Sequence, residues 1–127
     1  MYNLPLIIEK SNRDGLVWGR VSFKEESMVT NAGSESELEK KMKDLVAHYY
    51  KLNKKEISFS ISYHLSAMFE HKHFLNISAI AKEAGINPNL MRQYVSGAKS
   101  PSKARLKQIE EVINSIGRQL ADINLAN

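Results

Sequence analysis

Leu4, Leu6 and Ile8 recur at every second position and the run stops at Glu9 and Lys10, the period of a half-buried strand. Pro5 within it predicts an edge position or an early interruption, because proline cannot donate to a sheet ladder. Ser11 to Gly15 is turn chemistry ending in Asp-Gly, a hairpin signal, and a second strand follows through Leu16 to Val21. Lys24, Glu25 and Glu26 mark another turn, and Met28 to Thr30 makes a short third strand ending at Asn31 to Gly33. The period then changes. Ser34 with Glu37 forms a capping box, and Leu38, Met42, Leu45, Val46, Tyr49 and Leu52 recur at three- and four-residue spacing, predicting an amphipathic helix to about Asn53. From Glu56 to His64 alternation returns, with Ile57, Phe59, Ile61 and Tyr63 on one face and Ser58, Ser60, Ser62 and His64 on the other.

A second helical pattern occupies the rest of the chain. Leu65, Met68 and Phe69 suggest a short connecting helix. Asn76 is a good N-cap, Ile77, Ile80, Ala81 and Ala84 form an apolar stripe, and Gly85 supplies a helix stop. Ile86 plugs the turn, and Asn87 caps another helix with Pro88 at its first position. Met91, Tyr94 and Val95 face inward on that helix, leaving Asn89, Arg92, Gln93 and Ser96 outward. Ser102 caps a closing helix carrying Leu106, Ile109, Val112, Ile113, Ile116, Leu120 and Ile123, more apolar length than closing a three-helix core requires. The fold class expected is α+β: a small β-β-β-α-β domain at 1–64, a connecting segment at 65–75, and an all-helical helix-turn-helix domain at 76–127.

Charge gives the helical half its meaning. The 127-residue chain carries only +4, yet five basic residues (Arg92, Lys99, Lys103, Arg105, Lys107) and no acidic one lie between Arg92 and Lys107. A basic rim beside an outward polar helix is the footprint of a duplex-DNA reader. The candidate DNA-binding residues are therefore Asn87, Asn89, Arg92, Gln93 and Ser96 around the second helix, with Lys99, Lys103 and Arg105 after it. The absence of cysteine removes disulfide scaffolds, zinc fingers and thiol nucleophiles, and suits a cytoplasmic location. No apolar run approaches the length of a membrane span.

With both halves read, the chain resembles the HicB family of bacterial type II antitoxins. LIIEK, GLVWGRVSF, GSESELEKKM and EISFSISY fall where that family's N-terminal elements lie, and ISAIAKEAGINPNLMRQYVSGAKSP resembles a helix-turn-helix of the lambda-repressor-like class. The resemblance implies a partial RNase H-like first domain that neutralises a small, basic, RNA-cleaving toxin and a second domain that represses its own operon. The competing expectation is a stand-alone dimeric DNA-binding repressor with no toxin partner. Trp18 is the candidate partner-binding residue, either an anchor on an open sheet face or simply buried.

Enzymatic activity is not expected. Glu9, Asp14, Glu25 and Glu26 do not form a trio of carboxylates on adjacent strand ends, as two-metal nuclease chemistry needs. His71 and His73 lack a third ligand and read as exposed polar residues, so neither metal nor cofactor is expected. The partners expected are double-stranded DNA, a second copy of the chain and, by the resemblance, the toxin. For the homodimer, Pro5 argues against the first strand as a pairing edge, which favours another edge or face of the first domain, with the apolar surplus Ile116, Leu120 and Ile123 contributing second.

Overall fold

The computed structural model describes residues 1–11 and 14–127. Among these residues the protein is α+β, with one four-stranded sheet and five α-helices, and it divides into two units, Met1–His71 and Lys72–Asn127. The segment expected to connect the domains is shared between them: its helix belongs to the first unit, and residues 72–75 lead into the second.

In the first unit, β1 (Tyr2–Glu9), β2 (Val17–Phe23) and β3 (Glu26–Ala32) form an antiparallel meander. Helix α1 (Glu35–Tyr50) then crosses the sheet and returns the chain through a 3-10 turn (Lys54–Glu56) into β4 (Ile57–Tyr63), which pairs parallel to β1 and gives the order β3-β2-β1-β4. The hairpin between β1 and β2 contains Asn12 and Arg13, which lie outside the described residues; Gly15 beside them has φ 74°. Alternation sorts the faces. Leu4, Leu6, Ile8, Val17, Val21 and Ile57 are buried under α1 with Leu38, Met42, Val46 and Ala47. Gly19 lies in that face because a methyl group there would stand 2.8 Å from Leu38 Cδ2, so its missing side chain lets helix and sheet approach.

Three expectations change. β1 is central rather than at an edge, and Pro5 is tolerated there for a geometric reason. The Ile8 carbonyl accepts from the His64 N–H, so the backbone groups of Leu4, Leu6 and Ile8 point toward β4, and those of Pro5 point toward β2. Pairing with β2 begins only at Leu6, so the ladder is interrupted at the proline, the other outcome its missing N–H predicts, while pairing with β4 continues to Tyr2. The apolar stripe of α1 is also narrower than its sequence suggests, since Leu45 and Tyr49 are 40 % and 57 % exposed. They lie on the β3 flank, where Lys41 on the same side reaches the Asn31 carbonyl at 2.9 Å, beyond the strip that one sheet can cover. Helix α1 ends at Tyr50, with Lys51 in the left-handed conformation, instead of continuing to Asn53.

Helix α2 (Leu65–His71) buries Ala67 in the same core. Glu70 at its end accepts hydrogen bonds from the Ser11 hydroxyl and, at 3.2 Å, the Ser11 N–H. Burial pushes the Glu70 carboxyl up, but the Ser11 hydrogen bonds and the neighbouring His71 and Lys10 outweigh it and hold it below the usual range. Tyr63 at the end of β4 donates to Glu35 at 2.7 Å, and burial followed by that carboxylate pushes its phenol up to about 12.

The second unit is three helices: α3 (Ile77–Ala84), α4 (Pro88–Ser96) and α5 (Lys103–Ala121). Ile80, Ala81, Ile86, Met91 and Ile109 are its buried centre, with Tyr94, Val95, Val112, Ile113 and Ile116 half-buried. Of the apolar surplus, Ile116 is half-buried, whereas Leu120 and Ile123 are 54 % and 56 % exposed, with Ile123 beyond the helix end.

Candidate nucleic-acid interface

The polar face of α4 is set by the caps on either side of it. Asn76 Oδ1 accepts the Ala79 N–H at 2.9 Å and starts α3. Gly85, at φ 70°, closes that helix by donating to Ala81 and Lys82, and the Ile86 N–H returns to the Ala81 carbonyl at 2.8 Å. That closure turns Ile86 into the core and brings Asn87 to the start of α4, where its Oδ1 accepts from Asn89 at 2.8 Å and Leu90 at 3.4 Å. With both ends of the turn fixed and Met91 fully buried, the helical period leaves Asn89, Arg92, Gln93 and Ser96 exposed on one side.

These residues do not have equal freedom. Asn87 spends its carbonyl oxygen on the helix start. Ser96 donates to the Gln93 carbonyl at 3.2 Å and accepts the Ala98 N–H at 3.3 Å, so its hydroxyl serves the end of α4, where Gly97 has φ 87°. Arg92 is braced: it donates to Asn89 Oδ1 at 2.8 Å and to Ser78 Oγ of α3 at 3.3 Å. Among the described residues the Gln93 side chain has no hydrogen-bond partner, and it is exposed. A glutamine held on a rigid helix can exchange two hydrogen bonds with an adenine edge, and a braced guanidinium can meet phosphate or guanine.

The basic residues after α4 are placed by the loop to α5. The Lys99 N–H returns to the Gln93 carbonyl at 3.2 Å, and Ser102 Oγ caps α5 by accepting from Arg105 at 3.1 Å. Lys99 and Lys103 are exposed, whereas Arg105 is half-buried. Ser78 was not among the residues expected from sequence. Its signal was available, as an outward hydroxyl in the first turn of α3, but its contact with Arg92 depends on how the two helices cross.

Trp18 lies in the other unit, on the sheet face away from α1 and half-buried. Its indole N–H donates to both Asp14 oxygens, at 3.0 Å and 3.3 Å, while Asp14 also accepts the Leu16 N–H at 3.0 Å. The tryptophan is thus tied to its own hairpin. Glu9 and Arg20 pair at 2.8 Å on the same face. No group of three or more histidine and carboxylate side chains suited to a metal ion occurs among the described residues. No helix among them is long and apolar enough to cross a membrane. No family model, curated protein or solved structure matches this chain.

Proposed function

We propose that the chain is a DNA-binding transcriptional regulator of the antitoxin type, whose second unit is a helix-turn-helix that reads an operator through α4. One observation carries the reading: the exposed Asn89, Arg92 and Gln93 side chains stand on one capped helix beside a stretch, 92–107, with five cations and no anion. Residues on the helix face supply base recognition, and Lys99, Lys103 and Arg105 supply phosphate contacts. The meander followed by a helix and a strand parallel to β1 supports reading the first unit as partial RNase H-like, and the resemblance then assigns it to a small basic RNA-cleaving toxin. The tethering of Trp18 to Asp14 favours the second reading, a dimeric repressor without a toxin, because a tryptophan already satisfied at home is less suited to anchor a partner.

Selection of duplexes from a random pool by the full chain tests the DNA reading. It should enrich paired half-sites about 34 Å apart, or a multiple of that, with affinity falling log-linearly in salt. Recovery of no duplex above the bulk pool refutes it. Co-purification from the native cell separates the two partner readings, since a small basic protein travelling with the chain supports the toxin, and operator binding without one supports the stand-alone repressor.

A further inference from the structure

We infer that β4 is a self-pairing edge, through which two copies of the first unit join their sheets antiparallel about Ser60. The inference stands whether or not the second unit binds DNA. β4 is an outer strand, paired on one side only. Its seven residues, Ile57 to Tyr63, contain no charge, proline or glycine, the devices that normally keep sheet edges apart. The opposite edge is managed differently: α1 packs chiefly over β3, and Lys41 caps the Asn31 carbonyl there. Over β4 the cover is thinner, and Ile61, on the core side, is 40 % exposed.

The backbone fixes which register can form. His64 donates inward to Ile8, so Ser58, Ser60 and Ser62 direct their backbone groups toward β1. Ile57, Phe59, Ile61 and Tyr63 direct theirs outward. A second copy running antiparallel across a two-fold axis at Ser60 sets Phe59 against Ile61 and Ile57 against Tyr63, and both pairs are of the outward-directed kind that exchanges two backbone hydrogen bonds. Every apolar side chain then meets an apolar one, Ser58 meets Ser62, and Ser60 meets itself on the open face. Glu56 at one end of the strand is led toward His64 of the second copy, so no like charges oppose one another. A one-residue slip would set inward-directed groups against the partner and lose the ladder, and a two-residue slip would keep it but move Ile57 or Tyr63 beyond the partner's strand, so the axis at Ser60 is the register that pairs the whole strand. The occupant is a second copy because the strand's pattern is symmetric about its own midpoint.

The chain has no cysteine, so a single introduced thiol reports the register directly. Residues facing each other at the axis have Cα atoms about 4.5 Å apart, within the range of about 4.4–6.8 Å that a disulfide spans. Under mild oxidation of the full chain, Ser60→Cys should give about tenfold more linked dimer than Ser58→Cys, while Ser58→Cys mixed with Ser62→Cys should link efficiently. The unmodified chain should sediment at twice its 14.4 kDa mass, and Ile61→Lys should return it to one chain mass with an unchanged far-ultraviolet spectrum. Equal linking of Ser58→Cys and Ser60→Cys, a chain that sediments as a monomer, or a dimer that survives Ile61→Lys overturns the inference. So does an edge that captures an extended peptide of another protein while the chain alone stays monomeric.

Discussion

Replacing Gln93 by alanine separates recognition from folding with opposite signs. The side chain is exposed and has no partner among the described residues, while the contacts made at this position, from Ser96 and Lys99, go to its backbone carbonyl. Truncation leaves those contacts intact. Alanine is the better helix former by a few tenths of a kcal/mol, so stability should hold or rise slightly. On the operator, loss of a two-bond contact to a base costs about 1–3 kcal/mol, roughly a 5- to 150-fold loss of affinity for the selected duplex. Non-specific duplexes should be bound as before, because the phosphate contacts remain. Competition anisotropy against operators changed one base pair at a time, alongside urea unfolding, measures both quantities. Unchanged selectivity removes Gln93 from base reading, and an equal loss on every duplex assigns it to the backbone instead.

Lys99→Ala should weaken all duplexes alike and reduce the slope of log affinity against log salt by about 0.9, and an unchanged slope places Lys99 off the DNA. Lys24 and Glu25, at φ 50° and 65°, form the two-residue turn between Phe23 and Glu26, a conformation that non-glycine residues adopt at a cost. Glu25→Gly should therefore raise stability by about 1 kcal/mol in urea unfolding, and a loss of stability would contradict the strain argument. Ser11→Ala should move the Glu70 carboxyl upward in an NMR titration, since the Ser11 hydrogen bonds hold it down. A carboxyl held low in the folded state stabilises the fold above its unfolded value, and that contribution fades as pH falls through the folded value. The variant should accordingly lose some of the acid-side pH dependence of stability, and an unmoved Glu70 refutes the assignment.

The local signals in the sequence were strong wherever one residue's chemistry determined one backbone event. Ser34, Asn76, Asn87 and Ser102 all cap the helices their spacing implied, and each accepts from the second or third helical N–H. Alternation placed β1 and β4, turn residues and β-propensity placed β2 and β3, with β3 running from Glu26 to Ala32 beyond the expected Met28 to Thr30, and the outward side of α4 followed from Met91 being buried. What remained hidden was pairwise. Pro5 left an edge position and an interruption both open, because a sequence shows that an N–H is missing without showing which neighbour would have received it, and the structure interrupts the ladder to β2 while keeping β1 central. Leu45 and Tyr49 read as core because periodicity gives the apolar side of a helix, whereas the width of the sheet beneath decides how much of it is covered.

The same distinction governs the candidate site. Asn87, Ser96 and Gln93 are alike as polar side chains at a helix surface, yet the folded unit commits the first two to its own backbone and leaves the third available. Caps are satisfied locally, so their chemistry can be read from spacing of two or three residues. Availability is what remains after every internal partner has been assigned, and partners such as Ser78 for Arg92 lie fourteen positions away. It follows that base readout should concentrate on Gln93, with Arg92 and Asn89 meeting the duplex as a bonded pair, whereas substitutions at Asn87 and Ser96 should act through the ends of α4, lowering stability and affinity together.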